Sequence, residues 1–128
     1  MVVRDWLSST LNSFMNSKQV GKKEVMIMPI SNLILGVLQI MKGGGYIKGF
    51  KIEEDKLKKA IVELGKINKC KAIKPRFYVK KDEFEKYIKR YLPARDFGIL
   101  IVSTNKGLMT HKDAMEKGIG GSLIAYCY

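Results

Sequence analysis

The chain has 128 residues, 46% of them hydrophobic, which is enough to bury a core and fits either a single domain or two small lobes. No apolar run approaches the ~20 residues of a membrane-spanning helix, and the N-terminus MVVRDWLSST lacks the basic-then-apolar order of a secretory signal, so the expectation is a soluble intracellular protein. The 24 Lys+Arg against 12 Asp+Glu leave a net charge of +12, which makes a polyanion the economical partner.

In RDWLSSTLNSFMNS the apolar positions Leu7, Leu11, Phe14 and Met15 trace one face of an amphipathic helix, with Asp5 at its N-terminus. The basic turn KQVGKK leads to a short strand, EVMIM, which Pro29 ends by removing a backbone donor. Ser31 caps a second helix, NLILGVLQIMK, whose face is Leu33, Val37, Leu38 and Met41 and which the glycines Gly43 to Gly45 stop. Those glycines follow a helix, whereas a phosphate cradle must precede one, so they read as a terminator. YIKGFKIEE and LKKAIVEL form a strand pair turning near EEDK, which completes a helix-strand-helix-strand-strand lobe over residues 1–65.

The second lobe spans residues 66–128 and is mixed β with short helices, so the fold class is α+β. Ten basic residues between Lys66 and Arg90 stand against only Asp82, Glu83 and Glu85, a local excess able to meet several phosphates together. KAIKPRFYVKK reads as two extended pieces joined at Lys74-Pro75-Arg76, with Phe77 and Tyr78 on opposite faces. Which of the two faces outward the sequence leaves open. DEFEKYIKRYL has helical spacing at Phe84, Tyr87, Ile88 and Tyr91, and FGILIVS and SLIAYCY read as paired, buried strands. Between them STNKGLMTHKDAMEKGIGG sets a polar loop, a short helix and a glycine turn.

Cys70 and Cys127 have no metal-ligand spacing, and His111 is the sole histidine, so neither a metal site nor a disulfide framework is expected. A hydrolase triad can be drawn from Ser103 or Thr104 with His111 and Asp113. Thr110 as N-cap with Asp113 three residues on accounts for the same residue types without catalysis. The loop suits RNA better: hydroxyl and amide groups match the shallow minor groove and its 2′-OH, Lys106 adds a phosphate contact, and Gly107 permits close backbone approach. Gly118, Gly120 and Gly121 read either as a tight re-entry into the last strand or as bare backbone open to RNA.

The stretch from Ser103 to Gly121, with Ser-Thr-x-x-Gly-x-Met before a short helix and a closing Gly-x-Gly-Gly, closely resembles the C-terminal motif of the small-ribosomal-subunit protein eight family. INKCKAIKPRFYVKKDEFEKYIKRYLPARDFGILIVST is similar to its archaeal-type branch, and with GKKEVMIMPISNL the resemblance covers essentially the whole chain. It implies a non-enzymatic, two-lobe α+β protein without cofactor or metal. Such a protein binds the central domain of small-subunit ribosomal RNA early in assembly, as a monomer within the cytoplasmic ribosome beside neighbouring small-subunit proteins. The implied RNA contacts are Ser103, Thr104, Asn105, Lys106 and Gly107 in the second lobe and Lys22, Lys23, Pro29, Ser31 and Asn32 in the first. Separately, the charge of the basic segment marks Lys74 and Arg76 as phosphate contacts, with Tyr78 as a further candidate RNA contact. Some relatives repress translation of their own messenger RNA through a look-alike helix, a role the sequence leaves open. The chain departs from common family choices at Trp6, Asn32, Lys71 and Asn105.

Overall fold

Leu7, Leu11 and Phe14 are fully buried on one side of helix α1 (Trp6–Gln19), as their spacing requires. Met15, at the edge of that face, accepts a hydrogen bond on Sδ from the Cys70 amide at 3.1 Å, and the Cys70 thiol lies 3.5 Å from the Leu11 carbonyl oxygen. The computed structural model describes residues 6–27, 32–54, 58–94 and 97–128, apart from the side chains of residues 6, 54, 58, 74 and 75. Asp5 and residues 55–57, within the turn expected near EEDK, lie outside that set. The chain divides into two compact units, Met1–Cys70 and Lys71–Tyr128.

In the first unit α1 is followed by β1 (Glu24–Ile27), α2 (Asn32–Gly43), β2 (Ile47–Glu54) and β3 (Lys58–Leu64). The strands form an antiparallel sheet in the order β1-β3-β2, with Val25 and Phe50 both opposite Val62 and Ile27 and Ile52 both opposite Ala60. Alternate residues of β1 are buried, so Val25 and Ile27 face the core while Glu24 and Met26 face outward. Helix α1 packs on β1, α2 packs on β2, and the two helices touch. The buried face of α2 is Ile34, Val37, Leu38 and Met41, with Leu33 only half-buried. This corrects the expected face by one position: Leu33 and Ile34 both satisfy helical spacing, and only the neighbouring elements select between them. The helix ends with the Gly45 amide bonded to Lys42 and the Tyr46 amide to Met41, the paired bonds of a Schellman terminator.

The second unit comprises β4 (Cys70–Val79), α3 (Phe84–Tyr91), β5 (Ile99–Thr104), β6 (Gly107–Thr110), α4 (His111–Lys117) and β7 (Gly121–Cys127), the first residue of β4 belonging to the first unit. Its sheet runs β4-β7-β5-β6. Val79, Phe84, Ile88, Leu100, Val102, Ala114 and Leu123 form a continuous core. Each large side chain fully buried there contributes about 1.5–3 kcal/mol relative to exposure.

Two expectations are corrected in this unit. The segment through Pro75 is one continuous strand, not two pieces, because β4 lies at the edge of the sheet, where a missing N–H need not break a ladder bond. The polar loop is a β-hairpin: GLMT forms β6 and pairs with β5 in the register Ile101↔Thr110 to Thr104↔Gly107. Only Met109 of this short edge strand is buried, so its sequence carries too little alternation to announce a strand.

Candidate nucleic-acid interface

Alternation along β4 settles the orientation of Phe77 and Tyr78. Phe77 and Val79 face the core, where Phe77 packs against Tyr87 with ring centroids 5.0 Å apart. Arg76 and Tyr78 are therefore on the opposite face, and Tyr78 is 66% exposed. Its hydroxyl lies over Gly120: a Cβ added there would come within 2.9 Å of it and still closer to the Val79 carbonyl oxygen. Gly121 is equally confined, since an added Cβ would stand 2.5 Å from the Ser103 carbonyl oxygen and 2.7 Å from Val102 Cγ1. The glycines at 120 and 121 thus let β7 enter between β4 and β5, the structural one of their two readings.

That entry sets polar side chains of β5 and β7 side by side. Ser103 lies opposite Ser122 of β7 on one side and Leu108 of β6 on the other, and directly opposed residues point to the same face. Ser103 is exposed and Ser122 half-buried. Beyond them the hairpin turns through Asn105 and Lys106, both exposed, with the positive φ it needs carried by Gly107 at +104°. The Thr104 hydroxyl holds this turn internally, donating to the Gly107 carbonyl at 2.8 Å and accepting from the Lys106 amide at 3.1 Å. One acceptor position of that hydroxyl is left for an outside donor.

Of the residues marked by sequence, Tyr78, Arg76 and Ser103 to Gly107 thus belong to one sheet and its hairpin in the second unit. Lys74 is within β4, but its side chain lies outside the described set, as do Pro29 and Ser31. Lys22 and Lys23 are exposed in the turn between α1 and β1, and Asn32 is exposed at the first position of α2, all in the other unit. Sequence reading missed Ser122. Nothing in SLIAY marks it, because its place beside Ser103 is set by register between strands distant in sequence.

His111 is not available for chemistry. It is 1% exposed, and its Nδ1 accepts from the Leu100 amide at 3.1 Å, while Thr110 caps α4 by accepting from the Asp113 amide at 3.3 Å. Burial, and then the Lys112 charge, lower its pKa from 6.5, against the opposing pull of Glu85 and Asp113. Between 6.5 and the lowered folded value the unfolded chain binds a proton that the folded chain does not. Stability from this residue is therefore full above 6.5, falls as pH drops through that window and then levels off. Thermal unfolding across this range should show the fall. His111→Asn, whose Oδ1 can accept from Leu100 without titrating, should lose it; an unchanged pH slope would assign the dependence to other groups.

Cys70 and Cys127 are buried thiols, not joined in a disulfide. Among the described residues no group of three or more His, Cys, Asp or Glu side chains is placed to hold a metal ion.

A family model described as ribosomal protein S8 matches residues 5–128. Among curated proteins, the chain is 54% identical over 126 residues to the small ribosomal subunit protein uS8 of Archaeoglobus fulgidus, an alignment covering 97% of this chain and 98% of that relative.

Proposed function

The chain belongs to the ribosomal protein S8 family, and from that premise we propose that it binds small-subunit ribosomal RNA directly, in the central domain, and assists assembly of the subunit. Membership makes it a structural constituent of the small subunit in the cytoplasmic ribosome and not an enzyme, with ribosomal RNA and ribosomal proteins as its partners. The observation that carries the RNA-binding reading is the convergence of Tyr78, Ser103, Ser122 and the Asn105-Lys106 turn on one sheet, where rigid strands present exposed donors and acceptors. Hydroxyls and amides at fixed spacing suit the 2′-OH groups and base edges of an A-form minor groove, and Tyr78 offers a ring face beside them.

Attraction and selection are assigned to different groups. The outer face of the first unit's sheet mixes Glu24, Glu53 and Glu63 with Lys48, Lys51 and Lys59, including an exposed Lys48–Glu63 contact at 3.9 Å and a Lys59–Glu53 contact at 3.8 Å in which Lys59 is half-buried. That mixture adds little net field. Exposed cations such as Arg76, Lys80, Lys81 and Lys106 supply the general pull on phosphate.

The reading is tested by titrating the full chain with a central-domain helix and with an unrelated duplex. Ser103→Ala combined with Asn105→Ala should weaken the first markedly and the second little. Equal losses on both RNAs, or none, would remove the hairpin from the recognition surface. Arg76→Ala should weaken both RNAs alike and reduce the slope of log affinity against log salt by about 1. An unchanged slope would make Arg76 a solvated surface residue.

A further inference from the structure

The second unit carries a chain of aromatic rings that the hairpin surface does not use. Tyr91 stacks on Tyr126 at 5.3 Å between centroids, Tyr126 on Tyr128 at 6.3 Å, and Phe97 meets Tyr128 at 6.2 Å with the planes tilted by 49°. The inner end is anchored, with Tyr126 8% exposed and part of the core; the outer end is open, with Phe97 49% exposed. Among the described aromatic side chains only Tyr78 and Phe97 are exposed. The local backbone holds Phe97 in place: its amide donates to the Ala94 carbonyl at 3.1 Å. Gly98 then lets the chain pass so close to the last strand that an added Cβ would lie 2.7 Å from both the Cys127 carbonyl oxygen and Tyr128 Cβ.

Charge identifies the occupant. The Arg90 guanidinium lies 5.6 Å from the Tyr91 ring centroid and the Lys86 ammonium 5.6 Å from that of Tyr87. Lys86, Lys89 and Arg90 are exposed on α3, the last two in its final turn. Of these cations Arg90 meets the chain of rings, at Tyr91, and a backed aromatic face with a guanidinium on the same chain of rings matches a strand whose bases are unpaired and whose phosphates are near. A duplex does not fit, because its bases are already stacked on one another. The face lies at the opposite end of β5 from the hairpin, about 20 Å away at the rise of a six-residue strand.

We infer that Phe97, backed by Tyr128, is a stacking site for an unpaired RNA base, with Lys89 and Arg90 contacting the adjoining phosphates. This rests on the RNA-binding reading above and adds a second, single-stranded contact to it.

The test uses the full chain and a single-stranded oligoribonucleotide with one central 2-aminopurine, alongside a blunt RNA duplex. Binding should quench the 2-aminopurine fluorescence. Phe97→Ala should weaken the single-strand complex about tenfold, within the range of base–aromatic stacking, and leave duplex affinity unchanged. Phe97→Leu keeps the apolar volume without the ring and should also abolish quenching, while its melting temperature reports that the fold is retained. Ser103→Ala should do the reverse, affecting the central-domain helix and not the single strand. Loss of the hairpin effect with the Phe97 effect intact would therefore count against the proposed helix contact alone. Absent quenching, or full single-strand affinity in both Phe97 variants, would overturn the stacking site. So would a photo-crosslinking residue in place of Phe97 that couples to a protein rather than a nucleotide in assembled subunits.

Discussion

Thr104→Val is expected to lower affinity for the central-domain helix by about 1–3 kcal/mol while leaving affinity for an unrelated duplex nearly unchanged. The hydroxyl is the clasp of the β5–β6 turn, bonded at 2.8 Å to the Gly107 carbonyl and at 3.1 Å to the Lys106 amide. Valine keeps the shape and removes both bonds. Because the turn is exposed, water replaces the lost partners, so the cost in fold stability should be smaller, about 0.5–1.5 kcal/mol. The greater loss is preorganisation, since Asn105 and Lys106 would no longer be held in one arrangement before RNA arrives. The comparison with Ser103→Ala separates the roles. Ser103 makes no side-chain hydrogen bond within the described residues, so its loss should reduce affinity without moving the melting temperature. If Thr104→Val lowers the melting temperature but leaves binding to the cognate helix untouched, the turn is structural and the contact lies elsewhere.

Gly121→Ala should destabilise the fold by about 1–3 kcal/mol, the usual cost of forcing one extra carbon into a close-packed site. The added Cβ would sit 2.5 Å from the Ser103 carbonyl oxygen, 2.7 Å from Val102 Cγ1 and 2.9 Å from Thr104 Cγ2. The nearest of these is backbone in a paired strand and cannot rotate away. Relief requires β5 and β7 to separate where Ser103 lies opposite Ser122, so RNA affinity should fall as a consequence of the displaced hydroxyls. Gly107→Ala is the instructive contrast. Nothing lies within 4 Å of its added Cβ, and its cost comes only from the backbone at φ +104°, roughly 1 kcal/mol. Chemical denaturation of the two variants should rank Gly121→Ala as the more damaging. A Gly121→Ala midpoint equal to that of the parent would show that the strands yield there, and would return the glycine to the role of admitting RNA backbone.

Local pattern determined much of this protein. The spacing of Leu7, Leu11 and Phe14, of Val37, Leu38 and Met41, and of Phe84 and Ile88 specified three helices, because a 3.6-residue period is a property of neighbouring residues alone. The cap at Thr110 was legible for the same reason: donor and acceptor are three residues apart. The Ser-Thr-x-x-Gly stretch and its lysine were legible as a polar surface segment from residue chemistry.

What was not legible depends on partners far along the chain. Leu33 and Ile34 both fit the α2 pattern, and only the packed neighbours make Ile34 the buried one. Pro75 argued for a broken strand until its edge position removed the need for its N–H. GLMT became β6 because β5 offered it a register, and His111 is buried where its Nδ1 meets the Leu100 amide, a partner eleven residues away. The surface itself was decided last. Ser122 stands beside Ser103, and the Tyr78 hydroxyl over Gly120, only because β7 is inserted between β4 and β5. Strand order and register are set by burying one face of a whole sheet, a collective condition that no short window of sequence contains.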